Sequence, residues 1–372
     1  MRVLMTGGGT AGHINPALAI AHRIRQEWPD TEFLFVGSEG RMETRLVPAA
    51  GYPLKTIKMQ GFRRGFSPKA LCDNVVTMCR VMAAEKTCER IIREFRPDIA
   101  IGTGGYVCGP VLKQAAKAGV PVVLHESNAL PGVTVKLLAK KAAAVLIATE
   151  AARKYLPQEA NCIVTGNPLR EDFLTLNKAE ARARLGLRER PFILSFGGSL
   201  GAQRINETMA QVLKNGKQDG RATYVHGAGK AGFETMRQRL SEAGVSLSEP
   251  DISVRDYIDD MPTYMAAADL VICRCGAMTI SELPVAGKPA ILIPLPTAAE
   301  NHQFHNAMSL VERNAAVCIE EKDLSAERLW GEIKAFLDSP ERLAEMGRNA
   351  EKAAVPDASE RILAEIKKIV LR

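Results

Sequence analysis

This 372-residue sequence predicts an α/β fold of two Rossmann-like domains. Three observations carry that reading. Short β-rich runs alternate with helical patterns along the chain, and the runs are apolar on both faces, as strands of a parallel sheet covered by helices must be. Glycine-rich loops follow several of the strands directly. The whole pattern then starts again at Pro191.

In order, the first half places strands at residues 2–6, 31–36, 98–101, 121–124, 144–148 and 163–165, each followed by a turn and a helical stretch. The second places them at 191–196, 223–226, 252–254, 270–273 and 290–294. Turn signals at Gly166-Asn167-Pro168 set the expected boundary, giving domains 1–165 and 166–355. Pro356-Asp357 breaks and recaps the chain before a last helix, 356–372, whose Ile362, Ile366, Ile369 and Val370 share one face.

Length and composition agree with this organisation. The chain exceeds the size at which one core usually keeps growing, and 46% hydrophobic with 24% charged residues supports packed cores over disorder. Its apolar runs fall short of the roughly 18 residues a spanning helix needs. The N-terminus enters a strand with no leader pattern, so no export is expected. Eight cysteines show no C-x-x-C or paired metal spacing and read as reduced, buried thiols. The net charge of +7 favours an anionic partner. Between Lys58 and Arg80 five basic residues face one acid, interleaved with Met59, Phe62, Phe66, Leu71, Val75 and Met78. With Met82 added, Leu71, Val75, Met78 and Met82 form a helical stripe, so segment 58–82 can lie on an anionic membrane surface.

The chemistry is carried by the loops. Gly7-Gly8-Gly9-Thr10-Ala11-Gly12-His13, Gly102-Thr103-Gly104-Gly105-Tyr106 and Gly197-Gly198-Ser199-Leu200-Gly201 all follow predicted strands. Such loops let backbone N–H groups approach an anion at a helix start, and in open α/β sheets they gather where ligands bind. The first also fits G-x-G-x-x-G, a weak signal by itself. No Asp-x-Asp pair is present to hold a metal, so no metal and no cofactor is expected, and an anion can be met by Gly198, Ser199 and Gly201 with Arg170 and Arg274. Glu282 lies in a helical pattern where a carboxylate can accept two ribose hydroxyls. His13 is a candidate general base and Glu126, in His125-Glu126-Ser127-Asn128, a competing one. Asn128 and Tyr106 are candidate acceptor contacts.

These loops, with HESNALPG, GNPLR, YIDDM, Arg274–Glu282 and ENHQFHNA in the same order, resemble a family of bacterial GT-B glycosyltransferases over nearly the whole chain. Its members move N-acetylglucosamine from UDP-N-acetylglucosamine (UDP-GlcNAc) to lipid-linked muramyl-pentapeptide (lipid I), giving lipid II. The resemblance implies two Rossmann-like domains with a cleft between them: an N-terminal acceptor and membrane domain, on which the last helix packs back, and a C-terminal UDP-GlcNAc domain. It implies that Glu282 holds the ribose, Ile258 offers backbone to uracil, Ser199 touches phosphate, Ala277 and Met278 lend backbone, and His302 with Gln303 reads the sugar. Thr10, Gly12 and Thr279 join the donor set, and Gly104 and Gly105 the acceptor set. Some relatives carry Gln where this chain has His302. The implied partners are UDP-GlcNAc, lipid I, an anionic membrane surface and other wall-synthesis and division proteins, with no nucleic acid. The implied place is the cytoplasmic face of the inner membrane, held peripherally.

Other classes stay open at this point. The Gly7–Gly12 spacing admits a nicotinamide-dependent oxidoreductase, although Glu39 lies past Gly37-Ser38 and not at the strand end where ribose recognition wants an acid. A UDP-sugar epimerase and a non-catalytic nucleotide- or lipid-binding subunit are the remaining alternatives.

Overall fold

The computed structural model describes the backbone of residues 1–59, 68–198 and 201–371, and the side chains of all of these except 68–81. The chain divides into two units, Met1–Leu169 with Asp357–Arg372, and Arg170–Pro356. Most of segment 58–82 and all of Ser199 and Leu200 therefore lie outside the described side chains.

The first unit runs β1 (Arg2–Thr6), α1 (Ala11–Glu27), β2 (Glu32–Ser38), α2 (Glu43–Ala49), β3 (Leu54–Ile57), α3 (Pro68–Phe95), β4 (Ile99–Gly102), α4 (Cys108–Lys117), β5 (Val122–Glu126), α5 (Val133–Leu138), β6 (Ala144–Ile147) and β7 (Cys162–Val164). Its seven strands are all parallel, in the order β3-β2-β1-β4-β5-β6-β7. The side-chain period of two explains why the strands read as continuously apolar. Val3, Met5, Phe33, Phe35, Ile99 and Ile101 face one layer of the core with Ile14, Ile20 and Ile24 of α1. Leu4, Leu34, Val36 and Ala100 face the opposite layer with Ile91 of α3 and Leu112 of α4.

The C-terminal helix, Ala358–Val370, belongs to this unit and packs along α1. Ile362, Leu363 and Ile366 are buried beside Ile20 and Ile24, each such side chain contributing about 1.5–3 kcal/mol on leaving water. Charges at the rim set the register: Arg23 donates to Glu360 at 2.7 Å, and Lys367 pairs with Glu27.

The second unit runs α6 (Glu171–Thr175), α7 (Lys178–Arg184), β8 (Phe192–Phe196), α8 (Gln203–Asp219), β9 (Thr223–Gly227), α9 (Phe233–Glu242), β10 (Ile252–Arg255), α10 (Met261–Ala267), β11 (Leu270–Cys273), α11 (Ala277–Val285), β12 (Ala290–Leu292), α12 (His302–Val311), β13 (Ala316–Cys318), α13 (Ala326–Leu337) and α14 (Pro340–Glu351). Six parallel strands stand in the order β10-β9-β8-β11-β12-β13. Ile193, Tyr224 and Ile272 bury against Ile205 and Met209 of α8 on one face. Phe192, Leu194 and Val271 bury against Met265 of α10 and Leu283 of α11 on the other.

In both sheets the chain winds outward to one side of its first strand and then returns to the other. The strand order therefore reverses between β1 and β4, and again between β8 and β11. Ligands of open α/β sheets bind at the carboxyl ends of strands flanking such reversals. Two strands escaped the sequence reading, β3 and β13. Each is a short edge strand; in β3 the exposed pair Lys55 and Thr56 interrupts the apolar run, and β13 is apolar but only three residues long.

Candidate functional site

In each unit several of the residues singled out from the sequence lie on loops after the strands that flank its switch point. In the first, the loops after β1 and β4 interlock. The Gly8 N–H donates to the Gly104 carbonyl at 3.3 Å, and Gly105, at φ +86°, lies so close to Gly8 that a Cβ would sit 2.3 Å from its carbonyl oxygen. No side chain larger than hydrogen fits there. The Thr103 hydroxyl ties the same assembly to α1 through the His13 carbonyl at 2.6 Å.

His13 stands in the first turn of α1, with its ring packed against Gly104. Its Nδ1 lies 3.1 Å from the Gly8 carbonyl oxygen, with the Thr10 hydroxyl at 3.4 Å. A carbonyl can only accept, so Nδ1 carries the proton and Nε2 presents the lone pair. That is the tautomer a general base requires. Thr10 and Gly12 lie on this same loop in the first unit, while the other expected donor contacts belong to the second.

Glu126 ends β5 and is buried, and its carboxylate is already engaged. One oxygen accepts from the Asn128 N–H at 2.9 Å and from the Asn128 amide at 3.1 Å, and the other from the Gly132 N–H at 2.9 Å. Burial lifts its carboxyl above the usual range while these donors pull it down. Geometry makes it the organiser of the loop that presents Asn128. Tyr106 is half-buried beside Gly9, and its hydroxyl has no partner among the described residues.

Sequence reasoning missed Glu43. This carboxylate opens α2, is 0% exposed, and accepts from the Ser38 N–H at 2.9 Å and the Gly9 N–H at 3.2 Å. It is the protein's own anion in the glycine loop, where a dinucleotide-binding fold would present that N–H to a pyrophosphate. The G-x-G-x-x-G match therefore does not have dinucleotide chemistry behind it. Only the proximity of two acids, Glu39 and Glu43, to Gly37-Ser38 hinted at this, and nothing in the sequence said that Glu39 would face solvent.

In the second unit the loops after β8 and β11 lead into α8 and α11. Helices α7, α10 and α13 are capped by their own Asn177, Asp260 and Ser325 side chains, whereas α8 and α11, like α6, α9, α12 and α14, have no side-chain cap; α8 and α11 start at Ala202 and Gly276, beside the switch-point strands. First-turn N–H groups of such helix starts, those of Met278 and Thr279 among them, attract an anion. Gly198, at φ +91°, begins the turn, closed by a Gly201 N–H to Gly198 carbonyl bond of 2.9 Å.

Glu282 lies on α11, half-buried, and its carboxylate has no hydrogen-bond partner among the described residues. Burial pushes its carboxyl up to about 7, against the pull of the Arg170 guanidinium. Arg170 itself is held by Asp172, at 2.5 and 3.2 Å. Ile258 is buried against Gly227, in a loop where its backbone N–H and carbonyl bond to no other described residue.

Two side chains are more committed than the sequence suggested. Arg274 donates to the carbonyls of Ile293 and Pro294 at 3.2 and 3.0 Å and pairs with Glu321, so its guanidinium braces the loop ends after β11 and β12. Gln303 accepts from the Cys275 and Leu295 N–H groups at 3.2 and 3.0 Å, which leaves its NH₂ to donate outward. His302 gives its Nδ1 proton to the Ala299 carbonyl at 2.7 Å, so its Nε2 is an acceptor. Glu300 and Asn301, just before it, both hold positive φ, a backbone cost of order 1–3 kcal/mol each that positions the start of α12. Among the described residues no group of three or more His, Cys, Asp and Glu side chains is placed to hold a metal ion, and no helix is long and apolar enough to cross a membrane.

The chain matches the glycosyltransferase family 28 N-terminal domain over residues 3–147 and the family's C-terminal domain over 192–362. It is 42% identical over 371 residues to a protein of Acetivibrio thermocellus named UDP-N-acetylglucosamine–N-acetylmuramyl-(pentapeptide) pyrophosphoryl-undecaprenol N-acetylglucosamine transferase, covering 100% of this chain and 98% of that one. A protein of the same name from Ruminiclostridium cellulolyticum is 42% identical, covering 100% of both chains. Among solved structures, Acinetobacter baumannii MurG superposes with a TM-score of 0.79 at 29% identity, over 99% of each chain. A UDP-GlcNAc 2-epimerase from Neisseria meningitidis, at 12% identity and a TM-score of 0.67 over 99% of this chain and 100% of that one, shares the fold.

Proposed function

The chain belongs to glycosyltransferase family 28, and from that membership we propose that it moves N-acetylglucosamine from UDP-GlcNAc to the muramyl C4 hydroxyl of lipid I, with inversion at the anomeric carbon. The acceptor oxygen attacks that carbon, the bond to the diphosphate breaks, and its electron pair leaves on the UDP oxygen. The hydroxyl proton passes to Nε2 of His13, whose tautomer the Gly8 carbonyl sets. His13 is preferred over Glu126 because both Glu126 oxygens already hold loop N–H groups.

One observation supports the donor reading most strongly: the Glu282 carboxylate, without a hydrogen-bond partner among the described residues, on a helix whose start has no side-chain cap. A carboxylate accepts two vicinal ribose hydroxyls while the helix start and the glycine loop receive the diphosphate. Ile258 offers backbone to the base, and the outward NH₂ of Gln303 and Nε2 of His302 read the sugar. Backbone N–H groups supply the charge stabilisation that other transferases draw from a divalent ion. Gly104, Gly105, Tyr106 and Asn128 serve the acceptor.

The acceptor's lipid calls for a membrane surface, at the cytoplasmic face. Helix α5 supports this, exposing Val133 and Leu137, four residues apart, beside Lys136 and Lys140. Met82, the described end of segment 58–82, is 63% exposed. Each cation near an anionic surface contributes about 1 kcal/mol.

The test is a labelled-sugar assay with UDP-GlcNAc and a lipid I analogue, with and without EDTA. Equal turnover in both is expected. Loss of turnover in EDTA overturns the metal-free reading, and thermal stabilisation by NAD but not by UDP-GlcNAc overturns the transferase reading.

A further inference from the structure

Beneath the glycine loop of the second unit lies a polar chain that the transfer chemistry does not use. Ser195 on β8 and His226 on β9 are register partners, so their side chains share a face. The Ser195 hydroxyl is 2.8 Å from Nδ1 of His226, and Nε2 of His226 is 3.1 Å from Oδ1 of Asn206 in the first turns of α8. The Asn206 amide donates onward to the Ala228 carbonyl at 2.8 Å. All three side chains are buried.

Every hydrogen in this chain has one direction. The Ala228 carbonyl only accepts, so the Asn206 NH₂ faces it and Oδ1 faces His226. Nε2 therefore carries the imidazole proton, and Nδ1 accepts from the Ser195 hydroxyl at 2.8 Å, a closer partner than the Val225 carbonyl 3.4 Å from the same hydroxyl. Burial holds the His226 imidazole down at about 4, so it stays neutral in neutral solution and the direction does not change. The network adds geometry without adding charge.

The Ala228 carbonyl is also what the phosphate loop rests on. Gly201, at φ +76°, approaches it so closely that a Cβ would lie 2.3 Å from its oxygen. Loop and helix start are thus fastened to one atom, the loop by contact and the helix through Asn206. Buried polar groups are costly unless fully satisfied, and a fully satisfied set rigidifies its surroundings.

We propose that Ser195, His226 and Asn206 are positioning residues that aim the N–H groups at the start of α8 toward the diphosphate of the nucleotide-sugar donor. This rests on the donor site proposed above for the second unit. The nucleoside contacts, Glu282 and Ile258, make no hydrogen bond to the network, so its loss should fall on phosphate recognition.

The test compares Asn206→Ala with the wild-type chain for binding of UDP and of uridine by calorimetry, with the UDP-GlcNAc KM and kcat measured alongside. Ser195→Ala, which removes one donor and keeps the helix tie, serves as the milder variant if Asn206→Ala fails to fold. The expected result is a UDP affinity and a UDP-GlcNAc KM worse by about tenfold, or by a smaller factor in Ser195→Ala, with uridine affinity unchanged. Equal losses for UDP and uridine, or no loss for either, overturn the proposal. Failure of the wild-type chain to bind UDP at all would instead overturn the donor site on which it rests.

Discussion

Replacing Glu282 by Gln sets stability and function against each other, because its half-buried carboxylate has no hydrogen-bond partner among the described residues. Burial lifts that carboxyl from 4.5 to about 7, and the folded chain therefore binds a proton there more tightly than the unfolded chain. Folded stability falls as pH rises from about 4.5 through 7, and the full cost is present above 7. At about 1.4 kcal/mol per pH unit the bound is roughly 3 kcal/mol, and partial solvent access reduces it to on the order of 1–2 kcal/mol. Glu282→Gln removes that cost, so the variant should melt higher than the wild type at pH 8 and the same near pH 4. Donor binding should move the other way. Hydrogen bonds to a charged acceptor are worth about 1.5–3 kcal/mol, so losing the carboxylate should weaken UDP-GlcNAc by roughly 10- to 100-fold. The wild-type affinity should itself drop about tenfold between pH 8 and pH 6 as Glu282 protonates, a dependence the Gln variant lacks. UDP-GlcNAc suits the calorimetry because its diphosphate, esterified at both ends, does not titrate in this range. Unchanged affinity in the variant, or a pH dependence that survives the substitution, refutes the assignment of Glu282 to the ribose.

His13→Ala should lower kcat by two or more orders of magnitude while donor affinity, measured by calorimetry, stays close to wild type. Normal turnover would exclude His13 as the base. Glu43→Gln keeps the shape but puts an amide where two N–H groups need acceptors, so stability should fall by about 1–3 kcal/mol in urea melts, with kcat reduced through the displaced Gly8 carbonyl and the donor KM little changed. In the C-terminal helix, Ile366→Ala should cost about 2–5 kcal/mol of stability, because Ile366 is 0% exposed against α1. A cost below about 1 kcal/mol would mean that the helix is not held by that face.

Much of this protein was legible before any coordinates. Doubly apolar runs such as Arg2–Thr6 and Leu270–Cys273 announce central parallel strands, because burial on both faces leaves no polar position to blur the pattern. Glycines after strands mark loops that must approach another backbone closely, and the ordered motifs from Gly7 to Asn306 carried the family. Strand β3 was hidden by the same logic, since exposed Lys55 and Thr56 break its apolar run.

What only the tertiary structure decided was the state of each polar group. Sequence offered His13 as the first candidate base with Glu126 as its competitor, and only the fold showed that the Gly8 carbonyl fixes the proton of His13 on Nδ1 while both Glu126 oxygens accept loop N–H groups. It offered Arg274 as a phosphate cation, and folding turned that guanidinium onto Ile293, Pro294 and Glu321. It said nothing of Glu43 or of the Ser195–His226–Asn206 chain, whose members lie 31 and 20 residues apart in pairs. Hydrophobic periodicity is local and survives in one dimension, whereas a donor meets its acceptor only after the chain has brought distant strands and helices together.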